Sequence, residues 1–209
     1  MSIAVVDYGM GNRRSVEKAL EHVGASVVVS RDHDVLREAE GIVLPGVGAF
    51  PEGMRRLAEL GLDDLLRERA AAGVPLLGIC LGMQLLFESS TEHRGAIGLG
   101  VLPGEVTYLD TRGRRLPHIG WSLVTMTRPA RLTEGLGDAA AFYHVHSLAC
   151  RPADAADVAG TVSYGETFAS IVERGSVFGA QFHPEKSSRD GLALLRNFTG
   201  TCVASAVAA

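Results

Sequence analysis

A single cysteine stands where an apolar segment passes directly into a helical one, within residues 74–84, and this junction limits the folds open to the chain. Cys80 lies in the pattern Gly-x-Cys-x-Gly, between Gly78 and Gly82. The pattern is typical of a strand that turns sharply into a helix at a nucleophile, because glycine leaves room where the two elements approach. A helix that begins here favours the Cys80 thiolate and leaves the Leu81 N–H free to bind an oxyanion. We therefore expect a parallel sheet with a nucleophile at the end of one strand.

A buried structural cysteine is the alternative interpretation, since free cysteine often packs as a small hydrophobic side chain. A second segment, residues 177–186, favours the catalytic interpretation because it reads as an apolar strand that ends at His183. In an extended segment, His183 and Glu185 face the same side, so the carboxylate can orient the imidazole and stabilise its charged form. We expect Cys80, His183 and Glu185 to form a catalytic triad.

Length and charge narrow the class of protein. The chain of 209 residues is long enough for one sizeable domain and too short for two. Its net charge of −4, from 20 basic and 24 acidic residues, disfavours nucleic-acid binding. We expect no membrane association, because no secretion signal is evident and residues 74–87 are interrupted by Pro75, Gly78 and Gln84. The 3 cysteines lack framework or metal-binding spacing, which indicates the cytoplasm and no zinc site.

The two segments around Cys80 and His183 together resemble the class I glutamine amidotransferases. The resemblance rests on residues 78–84, Gly-Ile-Cys-Leu-Gly-Met-Gln, and residues 182–185, Phe-His-Pro-Glu. In that family a Cys-His-Glu triad hydrolyses glutamine. The resemblance implies that residues 1–209 form a single glutaminase domain with L-glutamine as its substrate.

The loop at residues 7–12, Asp-Tyr-Gly-Met-Gly-Asn, lies between a predicted strand, residues 3–6, and a predicted helix, residues 13–23. Such a turn either cradles a phosphate group or forms a tight turn with Asn12 as the helix N-cap. The second interpretation is favoured, because the complete dinucleotide-binding fingerprint is absent.

An acyl-transfer site needs a second oxyanion donor, and residues 45–50, Pro-Gly-Val-Gly-Ala-Phe, can supply it. They follow a predicted strand, residues 41–44, so the Val47 N–H can lie near the nucleophile; an ordinary Pro-Gly turn is the alternative. In the family this loop holds the second oxyanion donor and part of the glutamine pocket, which implies these roles for Val47 and Gly48. Gly46 and Gly48 leave the Val47 peptide free to rotate, and we expect an oxyanion hole that is incompletely formed without a partner.

Further pocket residues are predicted on the helix after Cys80 and on a later strand. Gln84 lies one turn beyond Cys80 on the same helix face, where its amide either reaches a bound substrate or faces solvent. Residues 143–148, Tyr-His-Val-His-Ser-Leu, correspond to Tyr-Phe-Val-His-Ser-Tyr in the family. The resemblance implies substrate binding by Gln84, His146 and Ser147.

His144 and Leu148 depart from the family pattern, and Leu148 stands where the family has an aromatic wall of the pocket. His144 and His146 share a strand face, which is compatible with a metal pair, but no third ligand is evident and a cupped sheet edge explains them as well. We expect no metal and no cofactor.

Residues 116–122, Leu-Pro-His-Ile-Gly-Trp-Ser, and the loop at residues 7–12 resemble one branch of the family, the glutaminase subunits of imidazole glycerol phosphate synthases. Ser122 stands where asparagine is usual. The resemblance implies a heterodimer with a (β/α)8 cyclase subunit, which receives the ammonia in histidine biosynthesis. The residues expected to face this partner are Asn12, Trp121, Tyr143 and Lys186. A single tryptophan is otherwise more often a core residue.

The expected architecture is an α/β, flavodoxin-like, three-layer sandwich. Helices cover both faces of a mostly parallel central sheet, residues 104–175 contribute a small antiparallel sheet, and the site lies at the carboxyl ends of the strands. Helices are predicted over residues 51–72, with a break at Gly61, and over residues 81–87, and a loop over residues 89–100.

Other functions stay open at this point. One is a glutaminase that serves a different synthase, against which residues 117–121 argue. Another is a cysteine hydrolase or deglycase of the same fold. A third is a flavin-binding module built on residues 7–12, which leaves the Cys-His-Glu set unexplained.

Overall fold

One long mixed sheet with helices packed against it forms the frame of the protein. A computed structural model describes the backbone of residues 2–208 and the side chains of residues 2–203. The strands are β1 (Ser2–Val6), β2 (Ser26–Ser30), β3 (Gly41–Gly46), β4 (Leu76–Cys80), β5 (Phe87–Ser90), β6 (Ala96–Ile97), β7 (Leu102–Tyr108), β8 (His118–Met126), β9 (Ala139–His146), β10 (Leu148–Pro152), β11 (Val158–Tyr164), β12 (Glu166–Arg174) and β13 (Val177–Ala180). The helices are α1 (Arg13–His22), α2 (His33–Glu38), α3 (Phe50–Glu59), α4 (Leu62–Ala71), α5 (Leu81–Leu85) and α6 (Ser188–Ala208). None of these helices is long and apolar enough to cross a membrane.

Five parallel strands form the half of the sheet that carries Cys80, in the order β2-β1-β3-β4-β13. Strands β3, β4 and β13 are buried along their whole length, as parallel strands covered on both faces are. Strands β4 and β13 are neighbours, with Gly78 opposite Gly179 and Ile79 opposite Ala180. The strand that ends at Cys80 and the strand that leads to His183 therefore finish side by side.

Alternate residues of the parallel strands point to opposite faces and build two hydrophobic cores. On one face, Ile3 of β1 belongs to the same core as Leu20 of α1 and Phe198 of α6. On the other face, Ala4 shares a core with Leu36 of α2 and with apolar residues of α3, α4 and α5. Helices thus cover both faces of a mostly parallel sheet, which confirms the predicted α/β class.

Antiparallel strands extend the same sheet, so the small antiparallel sheet expected from residues 104–175 is not a separate unit. Strand β12 pairs with β13 and, further along the same edge, with β10, while its other edge pairs with β11. Strand β11 leads on to β8 and β9. At the carboxyl edge, the Tyr143 carbonyl of β9 accepts a hydrogen bond of 2.9 Å from the His183 N–H. This contact brings β9 and its histidines beside the end of β13.

Two local predictions are wrong. The helix expected over residues 81–87 ends at Leu85, and the loop expected over residues 89–100 contains part of β5 and all of β6. The helix ends early because the chain folds back onto it and the Leu99 N–H bonds the Leu85 carbonyl. This carbonyl therefore has a hydrogen-bond partner without another helical turn. The break expected at Gly61 is confirmed, because α3 ends before this residue, α4 begins after it, and its φ is +64°.

Candidate active site

Cys80 occupies a strained corner between β4 and α5, with φ +55° and ψ −112°. A positive φ is unfavourable for a residue with a side chain and persists only where the surrounding structure enforces it. Close packing enforces it here: a Cβ on Gly82 would lie 1.8 Å from the Leu44 carbonyl oxygen, and one on Gly78 would lie 2.6 Å from the Met83 Cα. Both glycines of the Gly-x-Cys-x-Gly pattern are therefore required by the approach of helix and strands.

The imidazole of His183 lies between the Cys80 thiol and the Glu185 carboxylate. Its Nδ1 is 2.9 Å from Glu185 Oε1, both side chains are almost completely buried, and Cys80 is close enough to influence the pKa of the ring. Residues 184–186 form a 3-10 turn, so the expectation of an extended segment is wrong. The turn, rather than strand alternation, returns the Glu185 carboxylate to the ring.

The protonation of His183 depends on these two neighbours. Burial lowers the pKa of the His183 imidazole, but hydrogen bonds and charge interactions with Cys80 and Glu185 outweigh burial and raise this pKa to about 10. The ring therefore carries a proton at neutral pH. The Cys80 sulfur and a protonated imidazole therefore lie side by side, so the arrangement can supply a nucleophile and a proton donor together.

The segment that we term the oxyanion loop, residues 45–48, runs alongside the nucleophile. Gly46 lies opposite Cys80 in the sheet register, and Val47 follows it with 44% of its surface exposed. Gly48 has φ +113°, which a side chain would strain. No hydrogen bond within residues 2–208 uses the Val47 N–H. This donor is therefore available to a ligand.

The loop at residues 7–12 packs against the oxyanion loop, a contact that sequence reasoning missed. The buried Tyr8 hydroxyl donates a hydrogen bond of 2.8 Å to the Pro45 carbonyl. The two backbones touch, because a Cβ on Gly11 would lie 3.2 Å from the Gly46 nitrogen. The first loop therefore supports the position of the second.

A cavity of about 320 Å³ opens over the Cys80 thiol. Its lining includes nine residues singled out in the sequence, namely Val47, Gly48, Cys80, Leu81, Gln84, His146, Ser147, His183 and Lys186. The lining also includes Glu92, Pro117, Val145 and Leu148. The cavity thus brings together the residues expected at the nucleophile, in the oxyanion loop and in the glutamine pocket. Lys186, which is expected to face the partner, also lines this cavity.

Glu92 is a cavity residue that sequence reasoning missed. Its Oε2 accepts a hydrogen bond of 2.6 Å from the Phe50 N–H at the start of α3. The residue lies between β5 and β6, in the stretch expected to be a loop, and no local pattern places it near Cys80. A carboxylate in this cavity can bind a cationic group of a ligand.

Gln84 is buried and lines the cavity, so the solvent-facing alternative is wrong. Its Nε2 donates to the Leu148 carbonyl at 3.3 Å and to Gln181 Oε1 at 3.2 Å. Because both N–H groups of the amide are used, only its Oε1 can bind a ligand.

His144 points away from the cavity, although it shares a strand face with His146. Its Nδ1 lies 3.0 Å from the Phe142 carbonyl and its Nε2 2.9 Å from the Ser170 hydroxyl. Across the described residues, no group of three or more His, Cys, Asp or Glu side chains is arranged to hold a metal ion.

Of the residues expected to face a partner, two are in contact with each other. Trp121 is 55% exposed, so a core role for it is excluded, and its ring lies 6.1 Å from that of Tyr143 on the neighbouring strand. Ile119 and Leu123 flank Trp121 on the same face of β8 and are also exposed. Asn12 is the N-cap residue of α1, as predicted, but its backbone is not extended and its side chain makes no capping hydrogen bond.

Comparisons with known proteins agree with this geometry. The family described as "Glutamine amidotransferase class-I" matches residues 4–201. The imidazole glycerol phosphate synthase subunit HisH of Moorella thermoacetica is 50% identical over 196 residues, which cover 94% of this chain and 93% of that protein. The subunit of the same name from Aquifex aeolicus is 50% identical over 199 residues, which cover 95% of this chain and 96% of that protein.

Solved structures resemble the fold at lower sequence identity. A crystal structure of a glutamine amidotransferase has a TM-score of 0.77 at 22% identity and covers 96% of this chain and 98% of its own. The structure of PurLQS from Thermotoga maritima gives a TM-score of 0.75 at 22% identity, with 96% and 98% covered. Because the family match spans nearly the whole chain and full-length relatives share half of its residues, the chain belongs to the class I glutamine amidotransferases.

Proposed function

We propose that this chain is the glutaminase subunit of an imidazole glycerol phosphate synthase. It hydrolyses L-glutamine to glutamate and ammonia, and a separate (β/α)8 cyclase subunit uses the ammonia in histidine biosynthesis to make imidazole glycerol phosphate and AICAR. The observation that carries the proposal is 50% identity to a HisH subunit over 94% of the chain. The contact of Cys80 with His183 and Glu185 beside a cavity supports the chemistry.

The reaction begins at the thiolate. Cys80 Sγ attacks the carboxamide carbon of glutamine and forms a C–S bond, and the N–H groups of Val47 and Leu81 stabilise the resulting oxyanion. The His183 imidazolium gives its proton to the departing nitrogen, the C–N bond breaks and ammonia leaves. The neutral imidazole then takes a proton from water, which attacks the thioester and releases glutamate and the thiolate. Glu185 holds the ring and stabilises its charged form.

The amino-acid end of the substrate is held by acceptor groups. A free amino acid carries an ammonium group, and the cavity presents the Glu92 carboxylate and Gln84 Oε1 as acceptors. Gly48, His146 and Ser147 complete this part of the cavity. No cofactor takes part, since each step above is carried by side chains and backbone of this chain.

Ammonia is mostly protonated near pH 7 and is then not nucleophilic, so it must reach the acceptor before it equilibrates with solvent. The exposed apolar face formed by Ile119, Trp121 and Leu123 supports a docking site for the cyclase, because patches of this kind mark protein interfaces. Tyr143 adjoins this face, and by family resemblance Lys186, which lines the cavity, and Asn12 also belong to the proposed interface. The free cysteines Cys80, Cys150 and Cys202 support a reducing cytoplasm.

The test is release of glutamate from glutamine by the purified chain, alone and with the cognate cyclase and its nucleotide ligand. We expect low activity alone, strong activation by the cyclase and loss of activity in Cys80→Ala. Cys150→Ala is the matched control, because Cys150 is equally buried but lies outside the cavity. Activity that the cyclase leaves unchanged would retain the glutaminase and exclude the assigned synthase. No activity in a complex shown to form would exclude both.

A further inference from the structure

His118 is buried next to the cavity-lining His146 and has no role in the steps above. His118 and His146 lie directly opposite each other on β8 and β9, so their side chains share one face of the strand pair. His118 Nδ1 lies 3.2 Å from His146 Nε2, and His118 Nε2 lies 2.9 Å from the Ser122 hydroxyl. The Tyr164 ring stacks on His118 with a centroid distance of 4.1 Å.

One backbone carbonyl sets the direction of every hydrogen bond in this group. His146 Nδ1 lies 2.7 Å from the Leu148 carbonyl oxygen, which can only accept, so Nδ1 carries the hydrogen. Burial lowers the pKa of His146 to about 3 and that of His118 below its usual value, so both rings are neutral. His146 Nε2 is then an acceptor, His118 Nδ1 donates to it, and His118 Nε2 accepts from Ser122.

The hydrogen bonds that run from Ser122 through His118 and His146 to the Leu148 carbonyl are termed the relay. The Leu148 carbonyl joins this relay to Gln84. It accepts from His146 Nδ1 at 2.7 Å and from Gln84 Nε2 at 3.3 Å. The second N–H of Gln84 is taken by Gln181 Oε1, and Gln181 is completely buried. A reversed Gln84 amide would place its oxygen 3.3 Å from the Leu148 carbonyl oxygen, which can only accept, so this carbonyl selects the orientation with Oε1 toward the cavity.

We propose that Ser122, His118 and Gln181 are positioning residues that hold the Gln84 carboxamide so that its oxygen receives an N–H group of the bound amino acid. The inference rests on the proposed glutaminase function and specifies the chemistry of one wall of its pocket. At this wall the Gln84 carboxamide presents only its oxygen, which accepts a hydrogen bond and cannot donate one. The wall therefore selects a ligand with an N–H group facing it. Ser122 and His118 act only through His146 and Leu148, and neither lines the cavity.

His144 provides a matched control within the same strand pair. Its Nε2 also lies 2.9 Å from a serine hydroxyl, that of Ser170, and its Nδ1 also lies near a backbone carbonyl, that of Phe142. Neither bond leads to Gln84 or to the cavity. Ser170→Ala therefore removes a histidine–serine bond of the same length as the one that Ser122→Ala removes. It leaves the bonds between Ser122, His118, His146 and Gln84 in place, and it keeps the Ser170 carbonyl that accepts from the Gln181 N–H.

The experiment measures KM and kcat for glutamine in the complex with the cyclase, for His118→Phe, Ser122→Ala, Gln181→Met and Ser170→Ala. Phenylalanine keeps the stacking on Tyr164 but can neither donate nor accept. We expect the first three variants to raise KM about five- to tenfold with little change in kcat, as loss of one orienting hydrogen bond does. Ser170→Ala should leave KM unchanged. Ser122→Asn, unlike Ser122→Ala, should have a KM equal to that of the parent.

Two outcomes overturn the inference. One is a KM that stays within twofold of the parent in His118→Phe and Gln181→Met; the other is an equal rise in Ser170→Ala. The rate of Cys80 alkylation by iodoacetamide verifies that each variant keeps a folded site, and glutamine binding to the Cys80→Ala chain is measured by calorimetry. If the parent complex does not hydrolyse glutamine, the proposed function itself fails, which is a separate result from unchanged KM values in an active enzyme.

Discussion

The hydroxyl of Tyr8 donates a buried hydrogen bond of 2.8 Å to the carbonyl of Pro45, and this bond ties the first loop of the chain to the loop that holds Val47. Burial and the charge of Cys80 raise the pKa of Tyr8 well above its usual value, so the hydroxyl remains a donor at all working pH values. The bond therefore fixes the peptide just before the Val47 donor. Position 8 is remote in sequence from the oxyanion loop but adjacent to it in space.

Tyr8→Phe should lower kcat several-fold in the cyclase complex and change KM little, because the oxyanion forms only after substrate has bound. Steady-state glutaminase assays give both constants. The phenylalanine ring fills the same space, so thermal unfolding controls for a packing defect. A kcat equal to that of the parent would show that other contacts suffice to hold the loop.

The raised pKa of His183 predicts how stability depends on pH. An unfolded histidine has a pKa of about 6.5, whereas the folded value is about 10. The native state holds the extra proton between these values, so this stabilisation is complete below about pH 6.5 and disappears as pH rises through 10. Urea unfolding of the parent and of His183→Gln should give a stability difference that shrinks from pH 6 to pH 10. A difference constant over this range would exclude the charged His183.

His144 predicts the opposite behaviour in acid. Burial, followed by the neighbouring His146 and His118, lowers the pKa of His144 to about 2. Below about pH 6.5 the unfolded chain therefore binds a proton at this histidine, whereas the native state does not. The free energy of unfolding consequently decreases as pH falls. The double variant His144→Phe/Ser170→Ala should lose stability less steeply between pH 6.5 and 4. His22→Ala, which changes an exposed histidine, should follow the parent curve.

Glu92→Gln should raise KM for glutamine by about tenfold or more, because a carboxylate that binds an ammonium group contributes more than a neutral acceptor. The amide oxygen can still accept from the Phe50 N–H, so the start of α3 keeps its bond. Assays of the cyclase complex report KM and kcat. Unchanged KM would mean that Glu92 serves only the helix.

Trp121→Ala should weaken association with the cyclase by about tenfold or more, since exposed tryptophans dominate many interfaces. Because the side chain is 55% exposed, the unfolding temperature of the isolated chain should change little. Calorimetric titration of the cyclase measures the affinity. Ile97→Ala is the control: Ile97 is 81% exposed on β6, outside the proposed docking face, and its loss should leave the affinity at the parent value.

The residues around Cys80 and His183 could be found from sequence because local rules place them. Contacts within one strand–helix corner require the glycines at positions 78 and 82 around Cys80. In the Phe-His-Pro-Glu segment, one strand end and one turn suffice to bring His183 and Glu185 together. Short continuous apolar runs similarly predict the parallel strands, because such strands are buried on both faces. Such features depend on neighbours a few residues away.

Other parts of the site depend on contacts between distant segments and left no local signal. Glu92 enters the cavity because residues 98–102 return to α5 and β5, a pairing that the polar loop pattern concealed. The orientation of Gln84 is set by the carbonyl of Leu148 in β10, and its Nε2 also bonds Gln181, which directly follows β13. The helix face alone could indicate that Gln84 meets the substrate, but not which end of its amide does so.

The parallel pairing of β4 with β13 has a consequence for how the protein acquires activity. Cys80 and His183 come from distant parts of the chain, and they meet only when these two strands dock in register. Pairings between distant parallel strands form slowly, because the chain must close a long loop before any contact rewards it. During refolding in the presence of the cyclase, the helical circular-dichroism signal should therefore appear before glutamine hydrolysis, because hydrolysis requires β4 and β13 to be paired.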